Sequence, residues 1–249
     1  MGTLDDSTLI AVGIAFLAGG LVKGVVGMGL PTVSIAVMGT VLGLHEALPL
    51  MIVPSLVTNI WQALIGGRFV ALLRRFWLLL ALSAAGAWLG VGILVGADAR
   101  IMNACLGAAL CLYALLGLST IRMSVPVGWE GWLKAPVGFA TGVVSGTTGT
   151  IVMPVVLYLE ALGLEKDTIV QAMGLSFSVS SLALGLALAG HQAYDGHQLV
   201  MSSLALAPAT LGMVAGQVLR QRISPTAFRR WLFLALLILG LHLLTKLFS

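Results

Sequence analysis

Two glycine-rich stretches inside long apolar runs carry the residues whose types and spacing suit an anion-binding site. The first stretch contains Gly24, Gly27 and Gly29 and ends at Pro31. Glycine permits the backbone angles of a helix break, and proline begins a new helix where no N–H donor is needed. The first turn of the new helix presents unpaired amide hydrogens at the positive end of its dipole. The stretch therefore predicts a broken helix that binds an anion; the alternative is close helix packing by small residues.

The second stretch repeats this pattern and adds hydroxyl groups. It begins at Gly138 and reaches Pro154. Its candidate binding residues are Ser145, Thr147, Thr148, Gly149 and Thr150. Paired interrupted helices in the two halves of a membrane protein are typical of transporter binding sites. We therefore predict that both helix N-termini meet one anion near the middle of the membrane.

Lys23 is the one basic residue within the first long apolar segment. An ionisable group inside a membrane is a functional candidate by default, so Lys23 could attract the anion or carry a coupling proton. The alternative is that its side chain snorkels to the nearer interface. The second stretch has Thr141 close to the corresponding position, so the charge is not duplicated.

Two polar stripes supply the remaining candidates. Each stripe places polar or small residues at i, i+3, i+4 or i+7, on one face of a helix, beginning at Ser55 in the first half and at Gln171 in the second. The stripes suit either a lined pathway or hydrogen bonds between helices, and the sequence leaves both open. The substrate-binding candidates taken from them are Thr58, Asn59, Gln62, Gln171 and Ser178.

The elements that must position these residues are membrane helices. Of the 249 residues, 59% are hydrophobic and only 9% are charged, and the mean hydropathy is +1.07. A soluble domain carries about 25% charged residues. The apolar runs lack the alternation of barrel strands, so the sequence predicts an all-α integral membrane protein.

The hydrophobic segments fall into two similar halves. Eight segments lie at about residues 8–43, 46–66, 76–96, 100–119, 132–162, 167–190, 197–219 and 226–247. Gly29 and Gly149 are 120 positions apart, and a Gly-x-x-x-Gly pair occurs at Gly86 and again at Gly212. We predict two homologous four-segment repeats, at residues 1–121 and 132–249, joined by a loop at 122–131.

The basic residues favour an inverted arrangement of these repeats. If segments 8–43 and 132–162 are re-entrant, the following ten residues share one face: Arg68, Arg74, Arg75, Arg122, Lys134, Lys166, Arg220, Arg222, Arg229 and Arg230. Only Arg100 and Lys246 lie opposite, which is a strong positive-inside bias. This arrangement predicts six full spans, two broken hairpins and both termini outside. Eight plain spans are the alternative.

Several function classes lack their sequence signatures. The chain contains no phosphate-binding loop, no H-E-x-x-H and no G-x-S-x-G. No metal-ligand spacing links the histidines. The net charge of +4 comes from short loops between helices, which does not indicate nucleic-acid binding. We therefore predict no enzyme activity, no cofactor, no metal site and no nucleic-acid partner.

Five stretches together resemble the TauE/SafE sulfite-exporter family. They are residues 20–33, 54–62, 161–167, 171–177 and 224–230. The resemblance implies a multi-pass protein of the bacterial cytoplasmic (inner) membrane that moves sulfite or organosulfonates such as taurine and sulfoacetate. Members of the family often carry a fuller glycine run before the proline, so the resemblance does not specify the cargo.

We predict a secondary transporter that moves a small sulfur oxyanion or organosulfonate by alternating access. A passive anion channel is the alternative function. The sequence leaves open proton coupling, the direction of transport and the oligomeric state, with a homodimer among the options.

Overall fold

The protein is built from α-helices throughout the residues that the structure describes. The computed structural model describes residues 6–119, 124–126 and 128–245, and within them it contains ten helices and no strand. They are α1 Asp6–Val26, α2 Leu30–Val41, α3 Leu44–Leu64, α4 Phe69–Gly96, α5 Ala99–Leu118, α6 Glu130–Thr148, α7 Val155–Ala161, α8 Lys166–Gly190, α9 Gly196–Arg220 and α10 Pro225–Thr245. The predicted all-α class is confirmed.

Seven of these described helices are long and apolar enough to cross a membrane, namely α1, α3, α4, α5, α8, α9 and α10. The re-entrant interpretation predicts six full spans. The additional one is α1, in which Thr8–Val26 forms a candidate span of 19 residues. The protein is therefore a multi-pass membrane protein. Re-entry of segments 8–43 and 132–162 into the bilayer stays a prediction.

The outer surface has the composition that lipid requires. Large apolar side chains such as Leu211 and Ile238 are about two-thirds exposed. All six tryptophans are more than half exposed, and Trp132 is 83% exposed. Tryptophan is enriched where membrane proteins meet the interface between lipid and water.

The helices group into two compact units that mix elements from both predicted halves. The first unit spans Met1–Pro54, Ala97–Ser119 and Tyr194–Ser249, and it contains α1, α2, the start of α3, α5, α9 and α10. The second unit spans Ser55–Gly96 and Thr120–Ala193, with the rest of α3, α4, α6, α7 and α8. The predicted repeat boundaries stay a prediction, and three residues of the predicted loop at 122–131, at positions 122, 123 and 127, lie outside the described residues.

Glycines allow close contact between helices within each unit, and one pair of helices from each unit illustrates this. In the first unit, a Cβ atom on Gly24 would overlap the backbone of α9 at Met213 and Gly216. In the second unit, a Cβ atom on Gly142 of α6 would overlap the carbonyl oxygen of Ser83 in α4. Small residues allow this backbone approach, which replaces the hydrophobic effect as a source of packing energy in lipid.

Helix α3 contains two prolines, and a serine of α9 bonds to its backbone beside them. Pro54 has no N–H, so the carbonyl of Leu50 lacks its usual helical donor. The hydroxyl of Ser202 donates to the Leu50 carbonyl at 2.9 Å and accepts from the Val53 amide at 3.0 Å. Ser202 is fully buried in the first unit. It therefore supplies hydrogen bonds where proline interrupts the helical pattern.

Candidate functional site

The first glycine-rich stretch forms the tip of a helical hairpin in the first unit. Helix α1 ends at Val26 and α2 begins at Leu30, with Gly27 at φ 88° and Gly29 at φ 102°. These positive angles are the reason that glycine is needed here. The hydroxyl of Ser34 donates to the Ala15 carbonyl at 3.0 Å, so α2 runs back along α1. The segment thus turns back on itself.

Several polar groups at this turn have no hydrogen-bond partner. The amides of Met28, Gly29, Leu30 and Thr32 donate to no group that the structure describes. The hydroxyl of Thr32 also lacks a partner, although the residue is only 1% exposed. Gly29 caps α2 in the left-handed conformation without a side-chain bond. Bare amides at the positive end of a helix are the features that bind anions.

The other first-stretch candidates differ in what they contact. Lys23 is buried, at 5% exposure, one turn before the break, and its carbonyl accepts the Gly27 amide at 2.7 Å. Pro31 lies in the first turn of α2, as the sequence predicts. Gly24 instead packs against α9, so helix packing accounts for its small size.

The second stretch forms a comparable turn within the second unit. Helix α6 ends at Thr148, Gly149 follows at φ 71°, and α7 begins only at Val155. The Tyr158 hydroxyl donates to the Glu130 carbonyl at 2.9 Å, which places α7 beside the start of α6. This segment therefore also turns back on itself.

Its hydroxyl protons are engaged with the local backbone. Ser145 donates to the Gly142 carbonyl, Thr147 to the Val143 carbonyl and Thr148 to the Val144 carbonyl. The Thr148 and Thr150 hydroxyls lie 2.7 Å apart, so Thr150 has its partner there. In this conformation these four side chains have no proton left for a ligand.

The backbone after Gly149 is less well satisfied. Residues 150–154 are not helical, and Ile151 and Val152 are each only 2% exposed. The amides of Ile151, Val152 and Met153 donate to no group among the described residues. Buried amides are almost always paired, so this turn offers a second set of anion donors.

The polar stripes mainly join α3 to α8 within the second unit. Gln62 donates to the Val170 carbonyl at 2.9 Å, and Gln171 donates to the Ala63 carbonyl at 2.8 Å. The Asn59 side chain lies 3.5 Å from the Ser181 hydroxyl. Of the two interpretations left open by the sequence, these contacts favour hydrogen bonds between helices.

Two further stripe residues bond within their own helices. Thr58 donates to the Ser55 carbonyl at 3.4 Å, while Ser178 donates to the Gly174 carbonyl and lines an apolar cavity. The stripe candidates and the second stretch lie in the second unit, whereas the first stretch lies in the first unit. That the two turns meet one anion stays a prediction.

Comparison with protein families shows to which family the chain belongs. The family model described as Sulfite exporter TauE/SafE matches residues 11–243. The chain belongs to the TauE/SafE family. This family contains transporters rather than enzymes, so the predicted recognition and the absence of enzyme activity are confirmed. Comparison with curated proteins and with solved structures gives no match.

One charged cluster of this TauE/SafE protein lies at the start of α6, the helix that leads to the second turn. Arg75 makes two 2.8 Å hydrogen bonds to the Glu130 carboxylate, and Lys134 lies 3.3 Å from it. The bond from Arg75 is the main cause that holds the pKa of the Glu130 carboxyl below its usual value. Among the described residues, no group of three His, Cys, Asp or Glu could hold a metal ion.

Two buried hydroxyls in this TauE/SafE chain are not among the binding residues predicted from the sequence. The hydroxyls of Thr32 and Ser55 have no hydrogen-bond partner among the described residues, and both side chains are buried. Thr32 directly follows Pro31 in the first turn of a predicted helix, a position at which a hydroxyl can reach a ligand at the helix N-terminus. That position was a usable signal. Ser55 begins the first polar stripe, but its lack of a partner depends on tertiary packing.

Proposed function

We propose that this protein is a secondary transporter of a small sulfur oxyanion, with sulfite or an organosulfonate as the first candidate. The observation that carries the proposal is the pair of helix breaks, each with a row of bare amides. Membership of the sulfite-exporter family supports a sulfur anion as the cargo. We place the protein in the cytoplasmic (inner) membrane of a bacterium.

The first break has the more complete set of donors. The amides of Leu30 and Thr32, together with the Thr32 hydroxyl, can donate to the oxygens of one anion at the start of α2. Hydrogen bonds to an ionised acceptor are about twice as strong as neutral ones. An anion would therefore satisfy groups that otherwise carry a desolvation cost of about 1–3 kcal/mol each.

The second break contributes through its backbone. The amides of Ile151, Val152 and Met153 follow one another in a buried, non-helical turn, and successive amides of this kind form anion-binding concavities. The Ser145, Thr147, Thr148 and Thr150 hydroxyls position this turn by bonding its backbone and one another. Their proposed role is support of the binding amides, while direct contact with the anion falls to the backbone.

Lys23 supplies the positive charge near the first break. Its burial near Gly27 places a cation one helical turn from the bare amides of α2. A buried lysine can gain and lose a proton as its surroundings change, which makes Lys23 the candidate for proton coupling. Alternating access between two states of the protein would then move anion and proton in a fixed ratio.

Flux measurements test this function. Purified protein is reconstituted into liposomes that are then loaded with radiolabelled sulfite. The initial rate of sulfite flux is measured while the sulfite concentration and an imposed proton gradient are varied. A transporter gives a rate that saturates and responds to the gradient. A rate that rises without saturation and ignores the gradient would instead show a passive anion channel.

A further inference from the structure

An apolar cavity lies in the second unit between α3, α4 and α8. Its volume is about 340 Å³, within the range of about 300–1,000 Å³ that small-molecule sites occupy. Its walls include Leu56, Ile60, Leu64, Phe69, Leu73 and Leu182. Ser178 also lines it, but its hydroxyl bonds the Gly174 carbonyl, so the accessible wall is wholly apolar.

The chemistry of the wall excludes an anionic cargo. Transfer of a charged group into apolar surroundings without hydrogen bonds is strongly unfavourable. The cavity opens on the outer surface, because Ile60, Leu64 and Leu182 are 42%, 59% and 49% exposed. An occupant must therefore be hydrocarbon that reaches the cavity from the bilayer.

Basic residues are the sequence neighbours of two residues that line this cavity at the start of α4. Leu64 and Phe69 flank the turn that carries Arg68, and Leu73 precedes Arg74 on α4. Arg74 is exposed and forms no ion pair with any residue that the structure describes. Arg68 bonds the Thr168 hydroxyl and pairs with the exposed Glu165 carboxylate at 2.8 Å, whereas Arg74 has no such carboxylate partner among the described residues.

We propose that the cavity binds one acyl chain of an anionic membrane phospholipid, whose phosphate contacts Arg74. From Leu56 to Leu64 the α3 wall rises about 12 Å, enough to hold part of a chain that descends from the headgroup layer. Exposed arginines near the bilayer surface attract anionic lipids. The charge thus selects the headgroup while the apolar wall holds the chain.

A second copy of the protein fits this surface less well. A twofold interface would place the same patch on both sides, so Arg74 would face a patch that also carries an unpaired arginine. Like charges without partners oppose such an interface. A phospholipid provides both hydrocarbon and the opposite charge.

Native mass spectrometry of the detergent-purified protein tests the proposal. The probes are phosphatidylglycerol and phosphatidylcholine with identical acyl chains. Wild type is expected to retain phosphatidylglycerol about fivefold over phosphatidylcholine. Arg74→Ala removes this preference, and Leu73→Trp, which fills the cavity, lowers retention of both lipids several-fold. Leu112→Trp on α5 is the matched control, because Leu112 is similarly exposed and does not line the cavity.

Three results would overturn the proposal. The first is equal lipid retention by Leu73→Trp and Leu112→Trp. The second is an unchanged phosphatidylglycerol preference in Arg74→Ala, a surface variant that keeps the test valid if the tryptophan variant does not fold. The third is a wild-type dimer that Leu73→Trp dissociates, because a second copy would then occupy the surface.

Discussion

The buried hydroxyl of Thr32 has no hydrogen-bond partner in the described part of the chain, and neighbouring amides also lack partners there. A buried, unpaired polar group costs about 1–3 kcal/mol of folding free energy. Groups of this kind persist where they have a use outside folding. The use that we propose in this protein is the binding of an anion at the start of α2.

Replacement of Thr32 by valine separates stability from binding. Thr32→Val removes the unpaired hydroxyl at nearly constant shape, so the melting temperature is expected to rise by a few degrees. Sulfite affinity, measured by titration calorimetry, is expected to fall about tenfold because a donor to the anion is lost.

Thr141→Val is the matched control for this experiment. Thr141 is equally buried, and its hydroxyl donates to the Val137 carbonyl of its own helix at 2.7 Å. Its sulfite affinity should equal that of wild type. Undiminished affinity in Thr32→Val would contradict the assignment of the hydroxyl to the anion.

Local rules predict some site residues and not others. The positive φ angles of Gly27 and Gly29 and the placement of Pro31 in the first turn of α2 follow from backbone sterics, which sequence reveals directly. Ser145 and Thr147 are predicted as ligands, yet each bonds a carbonyl of its own helix. This back-bonding is a known habit of helical Ser and Thr, so sequence alone could have anticipated it.

At the scale of elements, α3 depends on a serine from another helix. Pro49 and Pro54 interrupt its hydrogen-bond pattern, and Ser202 of α9 bonds the backbone at Leu50 and Val53. No feature of the sequence near Pro54 points to residue 202. This contact could therefore be found only from the folded chain.

Loss of the Ser202 hydroxyl is expected to destabilise the protein. Ser202→Ala leaves the Leu50 carbonyl and the Val53 amide without this partner, which costs about 2 kcal/mol and lowers the melting temperature. Ser203→Ala is the control, since Ser203 is exposed and donates to the Leu199 carbonyl of its own helix. Equal melting temperatures for the two variants would show that the α3 backbone does not depend on Ser202.

The link between α4 and α6 makes stability depend on pH. The Glu130 carboxyl has a lowered pKa because it bonds Arg75, so its contribution is fully present above the unfolded pKa. That contribution is lost as pH falls through the folded pKa, which lies below the usual pKa of a glutamate carboxyl. As the pH falls from about 6 to about 3, the melting temperature of wild type should therefore fall more steeply than that of Glu130→Gln.

Glu165→Gln is the control for this pH series. Glu165 pairs with Arg68 at the surface, with 74% of its side chain exposed, and such pairs contribute little. Its melting curve should follow that of wild type. If the melting temperatures of wild type and Glu130→Gln fell equally with pH, the bond from Arg75 to Glu130 would not contribute to stability against acid.

At the scale of the whole molecule, composition alone predicts the all-α membrane class. The pairing of helices is harder to predict. Gly-x-x-x-Gly pairs occur in both α4 and α9, and the motif does not specify which helix packs against it. The structure pairs α9 with α1, and α4 with α6. Each compact unit therefore contains helices from both predicted halves.

The inverted topology remains a prediction that labelling can test. Within the second unit, Arg68 bonds Thr168 and Arg75 bonds Glu130, which gathers basic residues at the starts of α4, α6 and α8. A cysteine added after Ser249, in a Cys105→Ser and Cys111→Ser background, should react with an impermeant maleimide in intact cells. Reaction only after lysis would place the C-terminus inside and contradict the topology.

Hydrogen–deuterium exchange with and without sulfite tests the central claim most directly, because it reports on the backbone amides themselves. Saturating sulfite is expected to slow exchange in peptides that cover residues 27–33 and 150–153. Exchange in peptides from α5 and α10 should be the same with and without sulfite. Sulfite binding that leaves exchange at both breaks unaltered would contradict the account.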